Sequence, residues 1–564
     1  MRRRAKIIGT LGPSSSTVEI IEKLIKAGLN VVRLNMSHGD HHFHENLIKN
    51  IRQVSRRLKK EVAILMDLQG PKIRVDKLKE PLELKSGEEW FIGETKSSPP
   101  KEALKKFIPT SYKDLVKDAE VGCSILFDDG LMEAKAQRKV GDFLVVKIIE
   151  GGFLKSNKGI NLPDINVSAP SFTEKDQIDL FFGLSQGVDY IALSFVRRKE
   201  DILNVKYILH KLKSDIPIIS KIEKPEAIEN IEEIIGVTDM VMIARGDMGV
   251  EVGNHKVPNV QKKIIGLCNK NGTGVITATQ MLESMIEHSN PTRAEASDVA
   301  NAIWDGTDAV MLSGETASGR YPVKSVEMMN QIILEAEKIP RERPLMRNID
   351  LSSVSAAQQA AASLMAEKNS AKWIISITQS GRSCIKLARF RPSVEVLGVT
   401  NSYRIARRLC LLWGVRPYIF QDSKEEDILA LEHRMVAHLK SEGHIKNGDK
   451  IVITRGDGKY FSADVSNSIR VEIVKNTPSY SKGNEELDEV TFSKGRILLD
   501  LNACSSCQNC INICPHEIWA VDSTERKTTY INKKRVGECA LDMACVEACP
   551  TGAIEILPNE DNLS

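Results

Sequence analysis

The chain has almost no excess of charge of either sign. Its 564 residues carry 78 Lys and Arg against 75 Asp and Glu, a formal net charge of +3. That balance gives no electrostatic case for nucleic acid or another polyanion as partner. Long apolar runs are missing too: none reaches the roughly 18 residues needed to span a bilayer, so no membrane association is expected. The opening MRRRAKIIGT is basic but has no long apolar stretch behind it. No secretory signal is expected, and a cytoplasmic location is the default. Cysteine is scarce over most of the chain. Before Cys504 only Cys123, Cys268, Cys384 and Cys410 occur, without paired spacing, and they read as ordinary core thiols.

A hydrophobic content of 42% excludes general disorder, and the length suits roughly three to four domains. Over the first 340 residues, short β-branched runs alternate with amphipathic stretches. Eight runs read as strands: AKIIGT, NVVRLNMS, EVAILMDL, VDYIALSF, IPIISKIE, TDMVMIAR, GVITATQ and DAVMLSG. Strands this apolar are buried on both faces, as in a parallel sheet. Eight such units, each followed by a helical pattern, predict a closed (β/α)8 barrel over 1–70 and 168–345. Residues 71–167 alternate in β fashion and predict a small β domain inserted in the third βα loop, because a structureless loop of that length is implausible. A second α/β alternation predicts an α/β domain over 346–475. Polar residues 476–494 read as a tether. The cysteine-rich segment 495–564 reads as a separate α+β module.

In such a barrel, polar residues at the C-terminal strand ends are the catalytic candidates. Alternation puts Arg33, Asn35 and Ser37 on one face, Asp67 with Gln69, Lys221 with Glu223, and Thr277 with Thr279. Arg245-Gly246-Asp247 follows the sixth strand and Ser313-Gly314-Glu315 the eighth. Each feature alone has a bland reading, since a Lys-x-Glu pair is usually a solvated surface pair and a lone Asp is often a helix cap. Six such strand ends together do not. Glu223 and Asp247 suit a hard divalent ion such as Mg²⁺ or Mn²⁺. Lys221, Arg33 and Arg74 suit phosphoryl oxygens. Backbone N–H groups at the Ala244-Arg245-Gly246 turn suit a carboxylate. This is equipment for phosphoryl transfer.

The segments VVRLNMSHG, MDLQGPKIR, ISKIEKPEAIENI, MIARGDMGVE, ATQMLESM with PTRAEASDVANA, and MLSGETASGRYP resemble the signature segments of the pyruvate kinase family, in the family's order. The resemblance covers about 5–475 and implies conversion of phosphoenolpyruvate and ADP to pyruvate and ATP. It implies that Glu223 and Asp247 hold the divalent ion, that Lys221 neutralises the phosphoryl group in flight, and that Arg33 and Arg74 grip the phosphate. The Ala244–Asp247 turn matches the substrate-carboxylate site. Thr279 and Ser313 match the groups that protonate the enolate. Asn35, His38, Arg74 and Lys158 match nucleotide contacts. A homotetramer is implied as well.

One departure concerns K⁺. Family members that need it hold it with a cluster matching Asn35, Ser37, Asp67 and the Leu68 carbonyl. They usually have Glu where this chain has Lys72, and Thr where it has Leu68. The pattern resembles the potassium-independent branch, in which the Lys72 ammonium supplies the missing charge. In the α/β domain, Thr378-Gln379-Ser380-Gly381-Arg382-Ser383 lies between a strand and a helix and suits the phosphate of an effector.

The last seven cysteines carry a second chemistry. Cys504-x2-Cys507-x2-Cys510-x3-Cys514-Pro is the bacterial ferredoxin run, followed by Cys539-x5-Cys545-x3-Cys549-Pro with Asp542 where a cysteine would complete the motif. Crossed ligation places a 4Fe–4S cluster on Cys504, Cys507, Cys510 and Cys549. A second cluster falls on Cys514, Cys539 and Cys545, with Asp542 in the fourth place. A carboxylate holds iron less firmly than a thiolate, so this centre is expected to be 3Fe–4S or a labile 4Fe–4S. Redox sensing, docking to a ferredoxin-linked redox partner and a purely structural role remain open for the module. The competing readings are an electron-transfer protein using the kinase part as scaffold, and another phosphoenolpyruvate-using barrel enzyme.

Overall fold

The computed structural model describes residues 3–96, 106–163, 165, 167–339, 351, 353–421, 428–456, 466–474, 487–500, 504, 509–521, 529–539, 541, 544–549, 551 and 553–558. Eight parallel strands close into a barrel: Lys6–Thr10, Val31–Asn35, Ala63–Asp67, Tyr190–Leu193, Ile218–Ile222, Met240–Ala244, Gly274–Ala278 and Ala309–Leu312. Each lies within one of the eight predicted runs. Their side chains split by period two into an inner layer (Ile8, Val31, Leu65, Ile219, Met242, Met311) and an outer layer under the helices. The helices are locally specified. Thr17 caps Val18–Ala27, and Thr173 and Thr292 form capping boxes with Asp176 and Glu295.

The chain between the third and fourth barrel strands forms a six-stranded and a two-stranded sheet around Ile92, Phe127 and Val146. Beyond the barrel, a five-stranded sheet runs in the order Val415–Ile419, Glu395–Thr400, Trp373–Ile377, Lys450–Gly456, Ser466–Ile473, with only the last pairing antiparallel. This α/β unit is fastened to the N-terminal end of the barrel, away from the catalytic candidates. Arg391 donates to Asp308 Oδ1 at 2.7 Å, Asn269 Oδ1 at 2.9 Å and the Gly306 carbonyl at 2.8 Å. Lys6 Nζ donates to the Val415 carbonyl, and Tyr190 Oη to that of Arg408, both at 2.6 Å. Cys410 and Leu411 belong to the α/β unit yet pack in the barrel's own inner layer, closing its floor. Burial pushes the Cys384 and Cys410 thiols up to about 12, as expected of inert core cysteines.

Among the described residues, the cysteine-rich module has a sheet of Leu487–Phe492, Gly495–Asp500 and Ile554–Pro558, a hairpin of Trp519–Val521 with Thr529–Ile531, the short helices Asn509–Ile513 and Ala544–Glu547, and a 3-10 turn at Val536–Glu538. Its first strand falls in the stretch that the sequence reads as tether. Val490 and Phe492 pack on the module's core, and the acidic Asp488-Glu489 pair obscures that alternation.

Candidate active site

At the barrel mouth the apolar inner layer gives way to polar groups on the same face of each strand. Val31 leads to Arg33, Leu65 to Asp67, and Ile219 to Lys221 and Glu223. The buried Arg33 guanidinium spans Asp67 and Thr10. Its Nε and Nη2 lie 2.8 and 2.7 Å from Asp67 Oδ2, and Nη1 donates to Thr10 Oγ1 at 3.0 Å. Lys221 Nζ lies 2.9 Å from Glu223 Oε1 and 3.3 Å from Asp67 Oδ1, and donates to Ser194 Oγ at 2.8 Å. Burial works against the Lys221 charge, but Asp67 and Glu223 overturn it and hold the ammonium above the ordinary lysine range. Burial likewise opposes the Asp67 carboxylate, and Lys221 and Arg33 outweigh it, so its carboxyl sits below the usual range. Glu223 goes the other way. Burial raises it and the Asp247 charge adds to that, against Lys221.

Glu223 Oε2 accepts the Phe195 N–H at 2.6 Å, while Oε1 has the Lys221 ion pair but no well-formed hydrogen bond. Asp247, in the first turn of the helix Arg245–Val252, lines an open cleft of about 560 Å³ together with Lys72, Lys224 and Glu251. Among the described residues no three His, Cys, Asp or Glu side chains are spaced to hold an ion by themselves. A pair of carboxylates in mutual repulsion beside the open cleft fits Mg²⁺, which keeps water and other oxygen ligands in its shell.

Thr279 leaves the seventh strand at φ +69°, where a β-branched residue is strained, and Gln280 follows at φ +53°. The turn breaks the expected alternation. Thr277 faces outward and donates to Thr307 Oγ1, while Thr279 Oγ1 accepts the Gly246 N–H at 2.8 Å. Arg245 is predicted to belong, through the backbone of the Ala244–Asp247 turn, to a carboxylate site, and its side chain holds the neighbouring turn at Thr279. It donates to the carbonyls of Thr279 and Gln280 and pairs with Asp298 at 2.6 Å. Ala244 is buried at the end of the sixth strand. Ser313 Oγ is buried with no hydrogen-bond partner, and the Ser313 N–H donates to Glu315 Oε2 at 2.7 Å.

Lys72 reaches the cleft because Gly70 turns the chain at φ +68°. A Cβ there would come within 2.8 Å of the Phe195 ring, and the Gly70 N–H is tied to Asp176 at 3.0 Å. His38 is held below the ordinary histidine range by partial burial, then by the charges of Arg74, Lys72 and Arg33. Asn35 Oδ1 accepts the Ser37 N–H at 3.1 Å, and the Leu68 carbonyl accepts the Ser194 hydroxyl at 2.7 Å. Arg74 donates to the Asn157 carbonyl. Lys158 is paired with Asp128 at 2.7 Å, within the inserted domain. Ser194, Thr10 and Phe195 were not singled out by sequence, because nothing in a short strand end marks a residue whose role is to orient a neighbour. Glu251 was missed as well. It is buried, and its Oε1 accepts from Lys224 Nζ and from Asn161 Nδ2 of the inserted domain, each at 2.8 Å.

In the α/β unit, Thr378 Oγ1 accepts the Gly381 N–H at 2.9 Å. Gln379, Ser380 and Arg382 are exposed, and Ser383 is half-buried at the start of the helix Arg382–Arg389. In the cysteine module, Cys510, Cys539 and Cys545 are buried, and Cys504, Cys514 and Cys549 pack on the same core. Cys507 and Asp542 lie outside the described residues. Cys514, Cys539 and Cys545 line one pocket. Thiolates spread around a cavity rather than converging on a point fit a multi-iron cluster, in which each binds a different iron.

A closed eight-stranded barrel with a buried Arg–Asp–Lys–Glu ladder at its mouth and an inserted β domain beside it defines a phosphotransferase. The barrel domain description of pyruvate kinase matches residues 2–326, and its alpha/beta domain description matches 356–472. A 4Fe-4S dicluster domain matches 496–550. Curated proteins named pyruvate kinase from Staphylococcus aureus strains MRSA252, USA300 and NCTC 8325 are 45% identical over 463 residues, covering 80% of this chain and 78% of each relative. The chain belongs to the pyruvate kinase family and carries a 4Fe-4S dicluster domain in addition. No helix among the described residues is long and apolar enough to cross a membrane.

Proposed function

We propose that the barrel mouth transfers the phosphoryl group of phosphoenolpyruvate to ADP, with Lys221 and Arg33 as the groups that carry its charge. The observation behind this is the buried ladder Arg33–Asp67–Lys221–Glu223 next to Asp247. Its carboxylates hold two cations in fixed positions, so little reorganisation is needed when charge spreads over the phosphoryl oxygens. Glu223 and Asp247 hold a divalent ion, which supplies further charge neutralisation at the phosphates. Thr279, in a strained turn, and Ser313, whose buried hydroxyl has no hydrogen-bond partner, are the groups assigned to protonation of the enolate. His38, Asn35, Arg74 and Lys158 are the nucleotide side of the site, and Thr378–Ser383 takes a phosphorylated effector. Cys514, Cys539 and Cys545 hold the second cluster of the appended module, which serves redox sensing or docking. The test is anaerobic ATP formation from phosphoenolpyruvate and ADP with Mg²⁺ and no K⁺. No turnover with clusters intact would shift the balance to the scaffold reading.

Lys72 acts in place of K⁺ in this reading. Lys72 lines the cleft with Asp247, and Asp67 is already balanced by Arg33 and Lys221. A unit charge about 8 Å from the phosphates, at an effective dielectric of about 20, is worth about 2 kcal/mol. Lys72→Glu should therefore lose about 30-fold or more of K⁺-free turnover, and added K⁺ should restore part of it. Wild-type turnover that strictly requires K⁺ would sink the idea.

The inserted domain closes on the barrel through Asn161 and Glu251. Arg197 reinforces that contact by donating to the Val167 and Ala169 carbonyls. A hydrogen bond to a charged group is worth about 1.5–3 kcal/mol, so Asn161→Ala should cut kcat/KM for phosphoenolpyruvate about tenfold. Because closure excludes water, less than one ATP should form per pyruvate. An unchanged ratio and an unchanged kcat/KM together would remove Asn161 from the closing contact.

A further inference from the structure

Besides three cysteines, the cavity lined by Cys514, Cys539 and Cys545 is lined by His516 and Trp519. Trp519 is 2% exposed, and its indole Nε1 is buried without a hydrogen-bond partner. A buried indole N–H normally finds an acceptor, because a polar group taken out of water loses a hydrogen bond it must make elsewhere. Here the groups that share the cavity are thiol sulfurs, apolar side chains and one imidazole. The other half of the module sets the comparison. Cys514-Pro515-His516-Glu517-Ile518-Trp519 parallels Cys549-Pro550-Thr551-Gly552-Ala553-Ile554. The corresponding Ile554 is just as buried but purely aliphatic. Filling the core therefore needs no indole, and the N–H is an addition peculiar to the half that carries Trp519.

We propose that the Trp519 indole N–H donates to a sulfur of the second cluster, on a thiolate or a sulfide, and sets that cluster's potential above the value its ligands alone would give. This rests on the reading that Cys514, Cys539 and Cys545 hold that cluster. Adding an electron makes the cluster sulfurs more negative and strengthens the N–H···S bond. The donor thus stabilises the reduced form. Trp519 touches no substrate; it is a positioning and tuning residue.

The experiment uses the full chain, purified anaerobically. Iron and acid-labile sulfide counts and the EPR signals of the two clusters first establish whether the second cluster is present, which tests the ligand reading by itself. Trp519→Phe keeps the aromatic volume and removes only the N–H. The expected result is an intact second cluster whose midpoint potential falls by about 59 mV, a tenfold change for a one-electron couple, while the first cluster is unmoved. In wild-type protein with ¹⁵N in the tryptophan indoles, pulsed EPR of the second cluster should show a ¹⁵N coupling and an exchangeable proton. This readout does not depend on the variant folding. An unshifted potential with the cluster intact, or no ¹⁵N coupling in the wild type, overturns the proposal. So does an exchangeable proton that survives Trp519→Phe and vanishes in His516→Ala.

Discussion

Replacing Lys221 by Met is expected to lower kcat by about three orders of magnitude, while the KM for phosphoenolpyruvate changes far less. A single preorganised donor at a developing charge is worth about 10²–10³ in kcat, and Lys221 brings a full charge to a buried position. Its environment keeps that charge in place. Asp67 and Glu223 raise its affinity for the proton against the pull of burial, so the ammonium is present throughout the neutral range. Arg33 remains to hold the substrate phosphate in the ground state, which is why the loss falls on kcat. Lys221→Arg should not rescue turnover, because a planar fork cannot sit among Ser194, Asp67 and Glu223 as a point charge does. Steady-state kinetics at saturating Mg²⁺ decides the matter, and a kcat within tenfold of the wild type would show that another group carries the charge.

The second large effect concerns stability. Arg391→Ala should cost about 3–5 kcal/mol, because it leaves the Asp308 carboxylate buried without its partner. It also strips the Gly306 carbonyl and Asn269 of a donor and removes a guanidinium stacked 4.8 Å from the Trp413 ring centre. Denaturant unfolding should show an earlier midpoint with an unchanged slope. A change below about 1 kcal/mol would mean that water or Lys6 takes over the exposed carboxylate.

The barrel was legible because a strand buried on both faces must be an apolar run, and eight such runs leave little freedom of architecture. Lys221 and Glu223 were legible for a related reason, as two charges inside such a run at the spacing of one strand face. The ladder's supports were not. Ser194 and Thr10 are ordinary polar residues whose partners lie far away in sequence, and only closure of the barrel brings them together. The backbone turn at Ala244–Asp247 was legible because it follows a strand, whereas the use of the Arg245 side chain to hold the Thr279 turn shows only in the structure. Thr277 and Thr279 were placed on one face because alternation was carried past the strand's last residue, where a left-handed turn ends it. The first strand of the cysteine module was hidden by two acidic residues between apolar ones.

The floor formed by Cys410 and Leu411 decides where this polypeptide tolerates being cut. A stop codon after Val474 spares every strand of the barrel and of the five-stranded sheet. One placed before Trp373 opens the barrel's base to water, with the Tyr190 hydroxyl, Asp308 and the Lys6 ammonium stranded at the breach. Shortened forms should thus be obtainable from the iron–sulfur end inward only as far as the last strand of the α/β unit, and the barrel should never be recoverable alone.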